Sequence, residues 1–264
     1  MKAPLGQNFL NDQRILNKII EAGPFTSGDT VVEIGPGKGP LTRLLAPQVK
    51  VLYAVEYDKD LVDHLQLSFP KVSVGNPVHV IHADFLKWNF NSVPAPVKVI
   101  GNIPYYISTP IIEHLLKHRA HITEAFLTVQ KEFGERLAAK PGSKPACRTG
   151  RDYGSLSCFV QYYADVKVLF KIKNACFTPV PKVDSCFVRL VFHPKPAYHP
   201  KDEQKMFAVV RTAFTQRRKT IVNALSPLAD KGRLSAVLTR LGLSPQARPE
   251  TLSLQNYVAI ADAL

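Results

Sequence analysis

Thr30–Leu45, which reads TVVEIGPGKGPLTRLL, is the most informative stretch of the chain for its architecture. Its apolar first part, Thr30–Ile34, predicts a buried β-strand, and the part from Leu41 onward predicts a helix. Between them, the glycines of Glu33–Gly39 (EIGPGKG) form a turn at which the backbone can approach a ligand that a Cβ atom would block. A strand, a glycine-rich turn and a helix in this order indicate a nucleotide-type cofactor site, although a tight structural turn looks the same when it stands alone.

The spacing of the glycines narrows the choice of cofactor. In the G-x-G-x-G pattern of Gly35–Gly39, the third glycine comes one position earlier than in the fingerprint of dinucleotide-binding sites. Pro36 also removes a backbone amide that a phosphate group could use. The pattern therefore argues against NAD and favours a cofactor without phosphates.

The alternation of strands and helices continues along the chain. Further strands are predicted at Val51–Val55, Val78–Ile81, Val97–Ile100, Ala125–Val129, Lys167–Ile172 and Ser185–Phe192, and helices at Asp58–Phe69, from Thr109 onward and at Gly154–Tyr162. Thr109 is expected to cap its helix, and Pro110 suits the first helical turn. Short apolar strands separated by helices predict an α/β fold, a Rossmann-like doubly wound sheet with helices on both faces.

A change of pattern divides the chain into two predicted domains. The proline-rich stretch His193–Pro200 ends the alternation, and Lys201–Leu264 has the pattern of helices only. Helix ends are expected near Pro227, Gly232, Gly242–Pro245 and Pro249. We therefore predict a cofactor-binding catalytic domain at residues 1–195 and a small all-helical C-terminal domain at residues 196–264.

Composition limits the partners and the location. The net charge of +13 favours a polyanionic partner, with nucleic acid a better match than a membrane surface, but scattered Lys and Arg can serve solubility alone. The chain has no run of about 18 apolar residues and no signal-peptide pattern, so we expect no membrane span and a cytoplasmic protein. Its four cysteines form no C-x-x-C pair and are expected to be reduced thiols.

Two carboxylates follow successive predicted strands. Glu56 comes about 20 residues after the glycines, where an acidic side chain accepts hydrogen bonds from ribose hydroxyls. Asp84 follows the next strand and suits the adenine amine of a cofactor. Each acid alone is more typical of a solvated loop, but both lie at carboxyl strand ends beside the glycine turn. Because open α/β sheets bind ligands at that edge, the pair predicts an adenosine site.

The segment Asn102-Ile103-Pro104-Tyr105 directly follows the fourth predicted strand. The Asn102 side-chain oxygen and the Ile103 carbonyl can accept the two hydrogens of an exocyclic amine, which aims its lone pair, while Tyr105 can stack on a flipped base. A structural turn is the alternative. The context favours methylation of an exocyclic amine.

At these residues the chain resembles the rRNA adenine N6-dimethyltransferases of the bacterial small-subunit type, over nearly its whole length. Five ordered motifs carry the resemblance: Gly6–Leu10 (GQNFL), Val32–Gly37 (VEIGPG), Asn102–Pro110 (NIPYYISTP), Phe177–Ser185 (FTPVPKVDS), and Gln216–Thr220 (QRRKT) followed by Asn223. The resemblance implies a Rossmann-like methyltransferase domain.

The resemblance also implies the cofactor, the substrate and the residues that hold them. S-adenosylmethionine would be bound by Asn8, Leu10, Gly35, Gly37, Glu56, Asp84 and Asn102. The catalytic set would be Asn102, Ile103, Pro104 and Tyr105, with Phe177 stacking on the target adenine opposite Tyr105. The substrate would be two neighbouring adenines in a loop near the 3′ end of small-subunit (16S) rRNA, presented by a pre-ribosomal small subunit. We expect a monomer without an obligate protein partner.

A basic run is the predicted RNA contact of the helical domain. Arg217, Arg218 and Lys219 follow Arg211, and Arg211 and Arg218 share nearly one helix face. A solvated helix face is the alternative, but a site that extracts an adenine from folded RNA favours phosphate contacts. Two stretches depart from the family: the N-terminus before Gly6 is short, and residues 145–152 form a longer link.

Three other interpretations fit parts of the sequence. His114, His118 and His121 are spaced for one helix face, but methyl transfer needs no metal, and we expect no metal site. The chain could belong to the related enzymes that methylate large-subunit rRNA and confer macrolide resistance. It could also act mainly as an RNA-binding assembly factor with secondary catalysis. The basic run favours the small-subunit group, and intact Asn102, Tyr105, Glu56 and Asp84 favour retained catalysis.

Overall fold

The computed structural model describes residues 8–69, 78–142, 153–216 and 218–264. The strands are β1 (Phe9–Leu10), β2 (Thr30–Ile34), β3 (Val51–Glu56), β4 (Val78–His82), β5 (Val97–Asn102), β6 (Ile122–Gln130), β7 (Ala164–Ile172), β8 (Phe177–Thr178) and β9 (Ser185–Phe192). The helices are α1 (Gln13–Ala22), α2 (Pro40–Leu45), α3 (Lys59–Ser68), α4 (Ser108–Lys117), α5 (Lys131–Ala138), α6 (Ser155–Tyr163), α7 (Glu203–Thr215), α8 (Ile221–Leu225), α9 (Lys231–Arg240) and α10 (Leu254–Ala263). Every strand expected from the sequence is present.

The main sheet has seven strands in the order β4-β3-β2-β5-β6-β9-β7. The five strands from β4 to β6 are parallel, and β9 runs antiparallel to β6. Consecutive residues of β2, such as Val31 and Val32, are fully buried, as expected for a parallel sheet that is covered on both faces. The α/β doubly wound prediction is confirmed.

The strand order reverses beside β2. From β2 the chain builds β3 and β4 on one side, and it then crosses to build β5 and β6 on the other. The first connections therefore diverge at the carboxyl ends of β2 and β5, which leaves a crevice where open α/β sheets bind their ligands.

Two details at helix starts correct the sequence-based expectations. Thr109 does not cap α4: a 3-10 turn at Tyr105–Ile107 leads directly into the helix, so no extended residue precedes it to supply a capping side chain. Pro110 lies in the first helical turn, as expected. Gly232 does not end a helix, because Asp230 caps α9 by accepting hydrogen bonds from the N–H groups of Gly232 and Arg233.

A small second sheet was not anticipated. β1 pairs antiparallel with β8, and Leu10 lies opposite Phe177. Both side chains are buried in a core cluster that also contains Ile100 of β5 and Phe126 of β6. The pairing holds the N-terminal segment beside the main sheet, and it thereby places Asn8 next to the end of β5.

The chain divides into two compact units. The first takes the residues up to Gly134 together with Asp165–Pro194, and the second takes Glu135–Ala164 and Lys195–Leu264. Residues 135–164, which we expected in the first domain, belong to the second unit because α6 packs against α7. The ring of Phe159 lies 4.8 Å from that of Phe207, and the hydroxyl groups of Tyr162 and Tyr163 donate to Glu203.

The cysteine side chains and the lengths of the helices can also be compared with the expectations from the sequence. The described cysteines, Cys158, Cys176 and Cys186, are free thiols, and Cys147 lies outside the described residues. Among the described helices, none has the length and apolar character that a bilayer crossing requires.

Candidate active site

A cavity of about 350 Å³, the carboxyl-end cavity, opens at the carboxyl ends of β2, β3, β4 and β5. It therefore occupies the crevice that the strand order creates. It is lined by Asn8, Phe9, Ile34, Gly35, Gly37, Val55–Tyr57, Ala83–Leu86, Asn102–Ile107 and Ile111. Both predicted carboxylates and the whole Asn102–Tyr105 segment are thus brought together on one cavity.

The glycine turn forms one wall of this cavity. Gly35 and Gly37 adopt φ values of +58° and +60°, which residues with a Cβ atom rarely adopt. A Cβ atom on Gly35 would meet nothing within 4 Å and would therefore project into open space, whereas one on Gly37 would lie 3.0 Å from the ring of Phe9. The positive φ favours glycine at both positions, and the nearby ring of Phe9 is a second reason at Gly37.

Glu56 connects the glycine turn to the end of β3. It is only 3% exposed, and its Oε2 accepts a hydrogen bond of 3.0 Å from the N–H of Gly37. Its Oε1 accepts from the N–H groups of Tyr57 and Asp58 at 2.8 and 2.9 Å. Oε2 retains a lone pair, so the carboxylate can both brace the turn and accept a hydrogen bond from a ligand hydroxyl.

A second buried carboxylate, Glu33, was not predicted as functional. It is 2% exposed and does not line the carboxyl-end cavity. The hydroxyl of Thr42 donates to its Oε2 at 2.7 Å. Burial raises the pKa of Glu33 to about 7. The hydrogen bond from Thr42 lowers this pKa, and the nearby charge of Glu56 raises it by a smaller amount.

Asp84 follows β4 and lies on the same cavity. Its Oδ1 accepts from the N–H of Leu86 at 3.0 Å, and its side chain remains about one third exposed. The N–H of Ala83 donates to the carbonyl of Glu56, which ties the ends of β4 and β3 together. The second oxygen of Asp84 can therefore accept a hydrogen bond from an adenine amine of a ligand.

Asn102 has a defined orientation. Its Nδ2 donates a hydrogen bond of 2.8 Å to the backbone carbonyl of Asn8. Because a carbonyl can only accept, this bond determines which end of the amide is the nitrogen, and it leaves Oδ1 as the acceptor. The N–H of Ile103 donates to the carbonyl of Thr128, which holds the backbone of the segment against β6.

Tyr105 is held at both ends. Its backbone belongs to the 3-10 turn, which the N–H of Ile107 closes on the carbonyl of Pro104. Its hydroxyl lies 2.6 Å from the hydroxyl of the fully buried Ser185. Burial raises the pKa of Tyr105 above its ordinary value, so the phenol is neutral at physiological pH.

Two predicted site residues do not reach the cavity. Leu10 and Phe177 are 2% and 1% exposed and pack in the core cluster. Phe9 takes the cavity position instead, because side chains of a strand alternate and its neighbour Leu10 faces the core. The alternation shows that Phe9 and Leu10 face opposite sides, and the pairing of β1 with β8 decides which of them reaches the cavity. Stacking by Phe177 on an adenine stays a prediction, and it requires a different packing of β8.

The predicted RNA contacts lie in the second unit. Arg218 and Lys219 line a cavity of about 650 Å³, the basic cavity, together with Arg136, which sequence reasoning missed. No acidic side chain is among its described lining residues. The prediction that Arg211 and Arg218 share a helix face is wrong, because α7 ends at Thr215, before Arg218. Arg211 does not line the basic cavity and instead places its guanidinium 5.6 Å from the ring centre of Phe159. Arg217 and the 145–152 link lie outside the described residues.

The histidine triplet has structural contacts. The Nε2 of His114 lies 3.0 Å from the carbonyl of Trp88, and the Nδ1 of His118 lies 2.9 Å from the carbonyl of His114. His121 belongs to a separate 3-10 turn after α4. In the described part of the chain, no group of three or more His, Cys, Asp or Glu residues is placed to hold a metal ion.

The family model and the relatives that match this chain represent enzymes that methylate ribosomal RNA. The family model described as ribosomal RNA adenine dimethylase matches residues 1–264. The ribosomal RNA small subunit methyltransferase A of Moorella thermoacetica is 40% identical, with 98% of this chain and 91% of the relative covered. The protein of the same name from Bacillus cereus is also 40% identical, with 100% and 91% covered.

Two solved structures are similar in fold and sequence. A dimethyladenosine transferase from Plasmodium falciparum superposes with a TM-score of 0.77 at 26% identity, with 96% of this chain and 95% of that one covered. The 23S rRNA methyltransferase ErmE superposes with a TM-score of 0.75 at 27% identity, with 97% and 99% covered.

Proposed function

Because the chain belongs to the ribosomal RNA adenine dimethylase family, we propose that it transfers two methyl groups to each of two neighbouring adenines near the 3′ end of small-subunit (16S) rRNA. It is an S-adenosylmethionine-dependent methyltransferase of rRNA adenines. The observation that carries the proposal is the orientation of Asn102, whose Oδ1 is left as an acceptor on the same cavity as Glu56 and Asp84.

The cavity fits the cofactor of this family. Gly35 leaves open space where a Cβ atom would lie, and Glu56 and Asp84 retain acceptors for ribose hydroxyls and for an adenine amine. Asn8 and Phe9 complete this part of the wall. When bound, S-adenosylmethionine supplies an electrophilic methyl group on a positively charged sulfur.

The chain's own residues position the adenine amine. Asn102 Oδ1 and the Ile103 carbonyl accept its two hydrogens, so that the nitrogen lone pair points along the line of transfer. Tyr105, held by Ser185, offers a ring to the base, and its neutral phenol does not act as a base. The methyl group would pass from the sulfur of bound S-adenosylmethionine to the amine nitrogen, so the sulfur–methyl bond would break and S-adenosylhomocysteine would leave. The amine proton would pass to solvent. Such positioning can supply roughly 7–11 kcal/mol of the barrier reduction.

The second unit is proposed to hold the RNA backbone. Arg136, Arg218 and Lys219 line the basic cavity, where Arg and Lys can contact phosphates without reading bases. Arg211 and Arg217 are proposed contacts on the strength of the sequence pattern alone.

The relatives favour the small subunit as the substrate. The two relatives that are 40% identical over almost the whole chain are both named small-subunit enzymes, whereas the 23S rRNA enzyme is 27% identical. An assembly factor with secondary catalysis is not favoured either, because Asn102, Tyr105, Glu56 and Asp84 all lie on one cavity. Action as a monomer in the cytoplasm, without an obligate protein partner, is part of the proposal.

Primer extension tests the proposed target. Reverse transcriptase stops at dimethylated adenines, so rRNA from cells with and without the gene should differ at two neighbouring positions near the 3′ end of the small-subunit rRNA. Complementation with an Asn102→Ala variant should not restore the stops. A difference confined to large-subunit rRNA would favour the alternative, and the absence of any difference would contradict the proposal. Light scattering of the purified protein tests whether it is a monomer.

A further inference from the structure

Two exposed tyrosines stand at the carboxyl-end cavity. Among the large apolar side chains that the structure describes as exposed, only Tyr57 and Tyr106 are aromatic, at 61% and 64% exposure, and both line this cavity. Exposing an aromatic ring to water forgoes the free energy of burying it. The coincidence of both rings at one cavity therefore indicates a ligand that covers them.

The two rings belong to different parts of the cavity. Tyr57 directly follows Glu56, on the cofactor side. Tyr106 directly follows Tyr105, which holds the target base, and it occupies the middle of the 3-10 turn that leads into α4. Its backbone is therefore fixed, while among the described residues its side chain makes no ring contact and no hydrogen bond.

We propose that Tyr106 stacks on the nucleobase next to the adenine that is held by Tyr105. Extracting one base from its stack leaves a face of its neighbour uncovered, and an exposed aromatic side chain one residue from the pocket can cover that face. The inference rests on the proposed function. Because that substrate carries two adjacent target adenines, the base on Tyr106 is the other target, which the enzyme retains while the first is modified.

Methylation kinetics test the proposal. The substrate is the small-subunit particle from cells that lack the gene, and the readout is kcat/KM with the unmutated chain as reference. Tyr106→Ala should lower kcat/KM roughly 5- to 150-fold, the range for losing one base–aromatic stack. Tyr106→Phe keeps the ring and should recover most of this loss. Leu67→Ala, at an 85% exposed position away from the cavity, is the matched control and should leave kcat/KM unchanged.

Two measurements separate this role from others. The dissociation constant for S-adenosylhomocysteine should stay within about twofold in Tyr106→Ala, because the ring is assigned to the base and not to the cofactor. In particles reconstituted with rRNA whose neighbouring adenosine is an abasic ribose, the unmutated enzyme should lose kcat/KM by a similar factor. Tyr106→Ala should then cause no further loss, because the partner of the ring has already been removed.

Each contrary result has a separate meaning. An unchanged kcat/KM in Tyr106→Ala, or losses that multiply on the abasic substrate, would overturn the stacking role while leaving the proposed function intact. A fall in cofactor affinity that accounts for the whole loss would assign the ring to the cofactor instead. If the unmutated chain does not methylate the particles at all, the proposed function fails first.

Discussion

In the proposed mechanism, the chemistry depends on the orientation of the Asn102 side-chain amide. A side-chain amide offers an acceptor at one end and donors at the other, and only the oxygen suits an amine hydrogen. The backbone carbonyl of Asn8 occupies the donor end of Asn102, so the correct end is selected before the substrate arrives. A carboxylate of the same shape cannot donate to this carbonyl, so an Asp at this position would lose the bond that orients the side chain.

Asn102→Ala and Asn102→Asp should therefore both lose turnover. We expect a fall of about 100- to 1,000-fold, the range for removing one preorganised hydrogen-bonding group from an enzyme site. Single-turnover methylation of small-subunit particles measures it. RNA affinity should be retained in both variants. A rate near that of the unmutated enzyme in either variant would remove the oriented amide from the mechanism.

The burial of Glu33 makes the stability of the fold depend on pH. Its pKa rises from the ordinary 4.5 to about 7 because of burial, so folding favours its protonated form. The contribution of Glu33 to stability is fully present below pH 4.5, and it is lost as the pH rises through about 7. Ionised Glu33 thus opposes folding at neutral pH.

Glu33→Gln should remove this loss. The amide oxygen of the Gln can take the place of the Glu33 Oε2 that accepts from Thr42, and no charge has to be buried. The variant should therefore gain stability relative to the unmutated chain between pH 4.5 and pH 8. The gain should approach about 3 kcal/mol, from 1.36 kcal/mol for each pKa unit. Urea unfolding across this pH range measures it, with Glu21→Gln, at an exposed position on α1, as the matched control. A stability difference that does not change with pH would show that Glu33 does not titrate in this range.

The sequence predicts the long strands of this fold but not the short ones. The strands of the main sheet contain five or more residues of largely apolar character, and the sequence revealed each of them. β1 and β8 contain two residues each, too few to show a period, and their partners are remote in sequence. The placement of Asn8, Phe9, Leu10 and Phe177 depended on this pairing. Motif positions thus identified the site segments, and pairing decided which side chains face the cavity.

Two substitutions of Phe177, which lies in β8, distinguish its packing in the core cluster from its predicted stacking on the target adenine. Phe177→Ala should lower the free energy of unfolding by about 3–5 kcal/mol, as expected for a fully buried aromatic side chain, and thermal or urea unfolding measures this. A loss below about 1 kcal/mol would contradict its burial in the core. Phe177→Leu preserves most of the apolar volume and removes the aromatic face. Reduced turnover at near-normal stability in Phe177→Leu would support stacking on the adenine, whereas unchanged turnover would leave only the core role.

The two cavities lie in different units of the chain. The carboxyl-end cavity belongs entirely to the first unit, and the basic cavity belongs entirely to the second. The sequence indicated the second unit through its helical pattern and its basic run, but not that residues 135–164 belong to it. That assignment depends on aromatic contacts of Phe159 and Tyr162 with Phe207, which no local pattern reveals.

Salt dependence tests the role proposed for the second unit. Each phosphate contact releases counterions, so the slope of log affinity against log salt reports the number of contacts. Replacing Arg217, Arg218 and Lys219 with Gln should weaken binding to small-subunit particles and flatten the slope by somewhat less than one unit for each lost contact. The affinity for S-adenosylhomocysteine should not change, because these residues do not belong to the unit that contains the carboxyl-end cavity.

A matched control separates local contacts from net charge. Lys50, Lys117 and Lys167 are exposed cations of the first unit, and changing them to Gln removes the same three charges from the chain. If RNA binding depends only on the net charge of the chain, both triple variants should lose the same amount of affinity for RNA. If the basic run contacts phosphates, only its own variant should flatten the slope, since a phosphate contact requires a cation at that place. An unaltered slope in the Arg217, Arg218 and Lys219 variant would identify that run as a solvated face and place the RNA elsewhere on the chain.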